Sequence, residues 1–92
     1  MYIESVQLTF HIPFSNSLKD KRQVRRSLID MVRQRFNASI AEVDAQDAHR
    51  TLVIGAAVVS GDASHAKESL EEIIRYMEAH TDAELIGIDR DS

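Results

Sequence analysis

The sequence predicts an α+β sandwich in the order βαββαβ: a four-stranded antiparallel sheet with two helices on one face. Three observations carry this. Residues 2–12 alternate between apolar and polar with period two, the signature of a strand covered on one side. Two later segments repeat apolar residues at helical spacing. Between them, Arg50–Ser60 is apolar on both faces, which places it in the middle of a sheet. At 92 residues the chain makes a single domain, residues 1–92.

In the first strand Val6, Leu8, Phe10 and Ile12 share the apolar face, opposite Ser5, Gln7, Thr9 and His11. Pro13 ends it, because proline has no N–H to give to a ladder. Ser17 is the expected N-cap of the first helix, with Asp20 as its capping partner. That helix runs from Leu18 to Phe36, with Leu18, Val24, Leu28, Met31, Val32 and Phe36 as its core stripe. Ala38–Ala45 is patterned weakly, as an edge strand would be, and Gln46–His49 makes a turn. The third strand sets Leu52, Ile54, Ala56 and Val58 against Val53, Gly55, Ala57 and Val59. Asp62 caps a second helix reaching Ala79, with Ala66, Leu70, Ile73 and Met77 inward and a Glu71–Arg75 pair outward. Glu84–Arg90 completes the set as a short strand. This order is the ferredoxin-like split βαβ pattern.

Charge is distributed unevenly. Seven of the eleven Lys and Arg residues lie between Leu18 and Phe36, against only Asp20 and Asp30, a local balance of +5. The other 73 residues balance to −9. Lys19, Arg22, Arg26 and Arg33 fall together on the side of the helical projection away from the apolar stripe. Such a face can hold an anionic partner on a molecule whose net charge is −4. Lys19, Lys21, Arg22, Arg26 and Arg33 are the expected phosphate contacts. Ser17, with Ser15 and the first-turn N–H groups, would add an anion site at the helix start, with Asp20 competing for it. The bland alternative is a solvated face, paired with glutamates of the second helix. Base-stacking readout on the sheet is not expected, because neither central strand presents an aromatic outward.

Val53, Ala57 and Val59 together would leave an apolar patch on the open face of the sheet. A homodimer through that patch is the natural cover; a loop or terminus folding over it is the alternative. No apolar run approaches the roughly 20 residues of a membrane span, and Met1–Glu4 does not open a secretory signal. Cysteine is absent, which excludes disulfides and thiolate ligands and suits a cytoplasmic protein. His11, His49, His65 and His80 lack metal-ligand spacing. Asp44, Asp47 and His49 crowd one turn, where Asp more commonly bonds its own backbone. No nucleophile elbow or Walker loop occurs, and Glu71 and Glu72, being adjacent, point apart on a helix. Neither an enzyme, a metal nor a cofactor is expected.

Several segments in order resemble the family called domain of unknown function 503, the YlxP-like proteins. They are Ser17-Leu18-Lys19-Asp20-Lys21-Arg22, Arg35-Phe36-Asn37-Ala38-Ser39-Ile40-Ala41-Glu42-Val43, Gln46-Asp47, and Gly55-Ala56-Ala57-Val58-Val59-Ser60. Where relatives commonly carry Leu-Trp after the Gln-Asp, this chain has Ala48-His49. The resemblance implies a ferredoxin-like fold and supplies no catalytic residues. Members are often encoded beside transcription-termination and translation-initiation factors and a ribosome-binding factor, which implies work on RNA or a ribosomal particle. The expectation from sequence is therefore a non-enzymatic accessory of translation, docking through the first helix. Its rival is a homodimeric regulatory module that binds a partner or small ligand through the sheet.

Overall fold

The alternation of the first strand becomes burial: Val6, Leu8, Phe10 and Ile12 are all within 2 % of full burial. The computed structural model describes residues 1–91, in the order β1 (Tyr2–His11), α1 (Leu18–Arg35), β2 (Ser39–Asp44), β3 (Thr51–Ser60), α2 (Ala63–Ala79) and β4 (Glu84–Asp91). The sheet is antiparallel throughout, with strand order β2-β3-β1-β4. This is the ferredoxin-like α+β fold. β3 and β1 are central, and β2 and β4 are the edges.

One face of the sheet meets the helices. Leu52, Ile54, Ala56 and Val58 of β3 join the β1 residues, Leu28 and Val32 of α1, and Leu70, Ile73, Ile74 and Met77 of α2 in one core. Burying a side chain of that size contributes about 1.5–3 kcal/mol, so this layer supplies most of the driving force for folding. The caps follow the sequence. Ser17 Oγ accepts from the Asp20 N–H, and Asp62 Oδ1 accepts from the N–H groups of Ser64 and His65. Asp20 reaches back to the Asn16 N–H at 2.9 Å, one residue beyond the N-cap.

Three details depart from expectation. Leu18, placed in the core stripe, is 40 % exposed; it begins the helix and turns off the buried arc. Glu71 pairs with Arg90 across from β4 rather than with Arg75 along α2. Val53, expected on an open patch, is 9 % exposed, because it sits between Thr9 of β1 and Asp44 of β2. A bulge between Glu42 and Asp44 locally reshapes that side of the sheet. The residues that stand open there are Val59 at 60 %, its cross-strand partner Ile3 at 59 %, and Val43 at 45 %.

Candidate functional site: the outer face of α1

At 100° per residue, Lys19, Arg22, Arg26 and Arg33 fall within an arc of about 60° and span roughly 21 Å of helix. All four are exposed. Among the described residues none of them forms a salt bridge. Arg33 alone makes a contact of its own, donating to the Ile40 carbonyl at 3.3 Å. Asp30 lies just outside that arc, about 20° beyond Lys19, four residues after Arg26 and three before Arg33, and is exposed. It lowers the local field without pairing with either.

Lys21 corrects the expectation for this helix. Expected from sequence to contact phosphates, it is 2 % exposed and faces the sheet. Its Nζ lies 2.8 Å from Glu42 Oε2, and donates to the Ala45 carbonyl at 2.6 Å and the Ala48 carbonyl at 2.8 Å. Its partners are therefore all inside the molecule. Arg25 donates to the other Glu42 oxygen at 3.0 Å. At 2.8 Å the Lys21 ammonium and Glu42 Oε2 form a close ion pair largely shielded from water. Burial pushes the Glu42 carboxyl up, but the hydrogen bonds and charges of Lys21 and Arg25 outweigh it and hold the group below its ordinary range. This triad clamps α1 to β2 and braces the β2–β3 turn. There Ala45 takes φ 55°, a left-handed conformation that costs an alanine energy and is held by the bond to its carbonyl.

Ser17 also proves structural. Its hydroxyl caps the helix, its carbonyl accepts from the buried Ser15 hydroxyl at 3.1 Å, and the Asp20 carboxylate occupies the neighbouring N–H of Asn16. The Ser15 and Ser17 hydroxyls and the Asp20 N–H expected in the phosphate cradle are thus engaged within the chain. Arg50 secures the same loop, donating from Nε to the Ser15 carbonyl at 3.0 Å, while its own carbonyl accepts from the Ile12 N–H at 2.9 Å. Of the expected phosphate contacts, Lys19, Arg22, Arg26 and Arg33 remain exposed.

The signal for Lys21 was present in the sequence. Residues 21, 24, 28 and 32 follow helical spacing, so Lys21 shares the register of Val24, Leu28 and Val32. Glu42 shares the parity of Ile40, which points inward on β2. Two opposite charges, each on a core-facing position, announce a buried pair.

Elsewhere the polar groups serve the fold. Tyr76 is packed by Phe36 edge-on at 5.6 Å, by His80 at 4.1 Å, and by the Arg35 guanidinium 4.8 Å above its ring. Asp44 Oδ1 accepts from the Ala45 N–H, the self-bonding expected of a turn aspartate. Among the described residues no three His, Asp or Glu side chains gather to ligate a metal. No described helix is long and apolar enough to cross a membrane.

Fold and surface together define a small ferredoxin-like domain with a cationic outer helix. Residues 3–90 match the profile of the family described as "Protein of unknown function (DUF503)", and the chain belongs to that family. It is similar to the protein of Bacillus subtilis (strain 168) called "Uncharacterized protein YlxP", with 29 % identity over 70 residues, 76 % of each chain.

Proposed function

We propose that the protein is a non-catalytic RNA-docking domain of the cytoplasm that holds the phosphate backbone on α1 through Lys19, Arg22, Arg26 and Arg33. The RNA is free or displayed on a ribosomal particle, and the role is accessory to translation. One observation carries the reading: four cations share one arc of an exposed helix, and none is neutralised by a carboxylate of the described residues. Both ends of that helix are fixed, by the Lys21–Glu42 clamp and by the Phe36–Tyr76 contact. The charges are thus presented on a rigid support, which lowers the ordering cost of binding.

Backbone binding by about four cations gives a definite salt dependence. The slope of log affinity on log salt is about −2.8 for single strands and −3.6 for duplexes. Raising salt from about 50 to 200 mM then weakens binding roughly 50- to 150-fold. Fluorescence anisotropy with a structured RNA of about 20 nucleotides tests this, with a matched DNA as comparison. Wild type is expected to bind with micromolar affinity and that slope. Lys19/Arg22/Arg26→Glu is expected to bind at least tenfold more weakly with the slope near zero. Equal affinity of variant and wild type, or a flat wild-type salt response, overturns the proposal.

A further inference from the structure

The face of the sheet opposite the helices has the composition of an interface. The two central strands place Ile3, Ser5, Gln7, Thr9 and His11 beside Val59, Ala57, Gly55, Val53 and Thr51, with no Lys, Arg, Asp or Glu among them. In a chain that is 28 % charged, this is a marked depletion. Among the described residues carboxylates appear on this face only along the edge strands, Asp44 opposite Val53 on β2, and Glu84 opposite His11 and Asp89 opposite Gln7 on β4. A neutral centre with charge confined to the rim distinguishes a contact surface from ordinary solvated surface. It also separates this face from α1, since it offers a polyanion nothing to bind.

Its relief is complementary to itself. Ile3 and Val59 make a raised apolar pair at one end, each about three-fifths exposed. Four residues along β3 lies a shallow trough of about 290 Å³, floored by small residues including Gly55, Ala57, Ala41 and Ser39, and walled by Val43. A β-carbon at Gly55 would come within 2.9 Å of Val43 Cγ1, so the trough depends on glycine there. The separation of ridge and trough is about 13 Å at strand rise.

We infer that this face binds a second copy of the same chain, the Ile3–Val59 ridge of each entering the trough of the other about a two-fold axis. A two-fold interface requires one patch to carry both the protruding and the receiving element, as this one does. A partner of opposite charge has nothing to recognise here, whereas a second copy necessarily brings an uncharged centre. Size is compatible: strands of 10, 6, 10 and 8 residues at a rise of ~3.3 Å and a spacing of ~4.8 Å give roughly 540 Å² per copy and about 1,100 Å² for the pair. That clears the ~1,000 Å² expected of a biological interface, at the small end of the range.

Sedimentation equilibrium from about 1 to 500 μM tests the inference directly. The chain of 10.4 kDa is expected to sediment at twice that mass at the upper concentrations. Added salt should leave the dimer intact or favour it, since only rim carboxylates repel. Val59→Glu buries a charge at the ridge and should weaken dimerisation about 100-fold or more. The position is exposed in the single chain, so circular dichroism and the melting profile should remain those of a folded domain. Ile88→Lys, on edge strand β4, should leave the mass unchanged. A wild-type monomer throughout the range overturns the inference. So does dissociation by Ile88→Lys with persistence in Val59→Glu, which would assign the contact to the sheet edge. RNA affinity of monomeric Val59→Glu tests the α1 reading separately, because the two surfaces share no residue.

Discussion

Replacing Lys21 by Met removes the centre of the buried clamp while keeping most of the aliphatic stem. Lost are the ion pair to Glu42 and the bonds to the Ala45 and Ala48 carbonyls. Removing one partner of a buried pair costs about 3–5 kcal/mol, chiefly because a charge is left behind. Two features place this site at the lower end. Arg25 still holds Glu42 at 3.0 Å, and Ala48 lies at the surface, where water can reach its carbonyl. The expected loss is about 3 kcal/mol, a fall in melting temperature of roughly 12–24 °C for a domain of this size. Urea unfolding gives the free energy and calorimetry the midpoint. The double variant Lys21→Met/Glu42→Leu removes both charges and should cost less than Lys21→Met alone. Stability of Lys21→Met within about 0.5 kcal/mol of wild type, or strict additivity in the double variant, would refute the assignment of a buried pair. RNA affinity of Lys21→Met should match wild type, because that ammonium faces the sheet.

Three further outcomes follow from the same geometry. The Glu42 carboxyl is held below its ordinary range, so its contribution to stability is full above about pH 4.3 and is lost as pH falls through the depressed folded value. Glu42→Gln should therefore be less stable at neutral pH and show a flatter acid limb in pH-dependent urea unfolding. Gly55→Ala should cost about 1 kcal/mol through its clash with Val43 Cγ1, and Val43→Ala in the same chain should recover most of it by thermal melting. Asp30→Asn removes the carboxylate at the margin of the cationic arc and should tighten RNA binding several-fold in low-salt anisotropy, with stability within about 0.5 kcal/mol of wild type.

Much of this was legible in the sequence because burial has a period. The alternation of Val6, Leu8, Phe10 and Ile12, and the two-sided apolar run from Leu52 to Val59, fixed which strands are central and which side meets the helices. The outward grouping of Lys19, Arg22, Arg26 and Arg33 was likewise readable from helical angle. What escaped was long-range pairing. Local spacing groups Lys21 with the surface cations around it, because the residue that neutralises it, Glu42, lies 21 positions away on another element. Val53 reads as open for a similar reason. Its cover comes from the strands on either side, and a bulge at Val43 cannot be read from alternation. Glu71 meets Arg90 of β4 across elements instead of Arg75 along its own helix. Local spacing gives the faces of elements; which charges meet across elements is set by packing.

The most direct test of RNA docking is a backbone amide NMR titration of the protein with a short structured RNA at low salt. Docking on α1 predicts shifts concentrated on residues 19–33, with the amides of Gln7, Gly55 and Ala57 on the open sheet face unmoved. Shifts centred on that sheet face, or none at millimolar RNA, would contradict it.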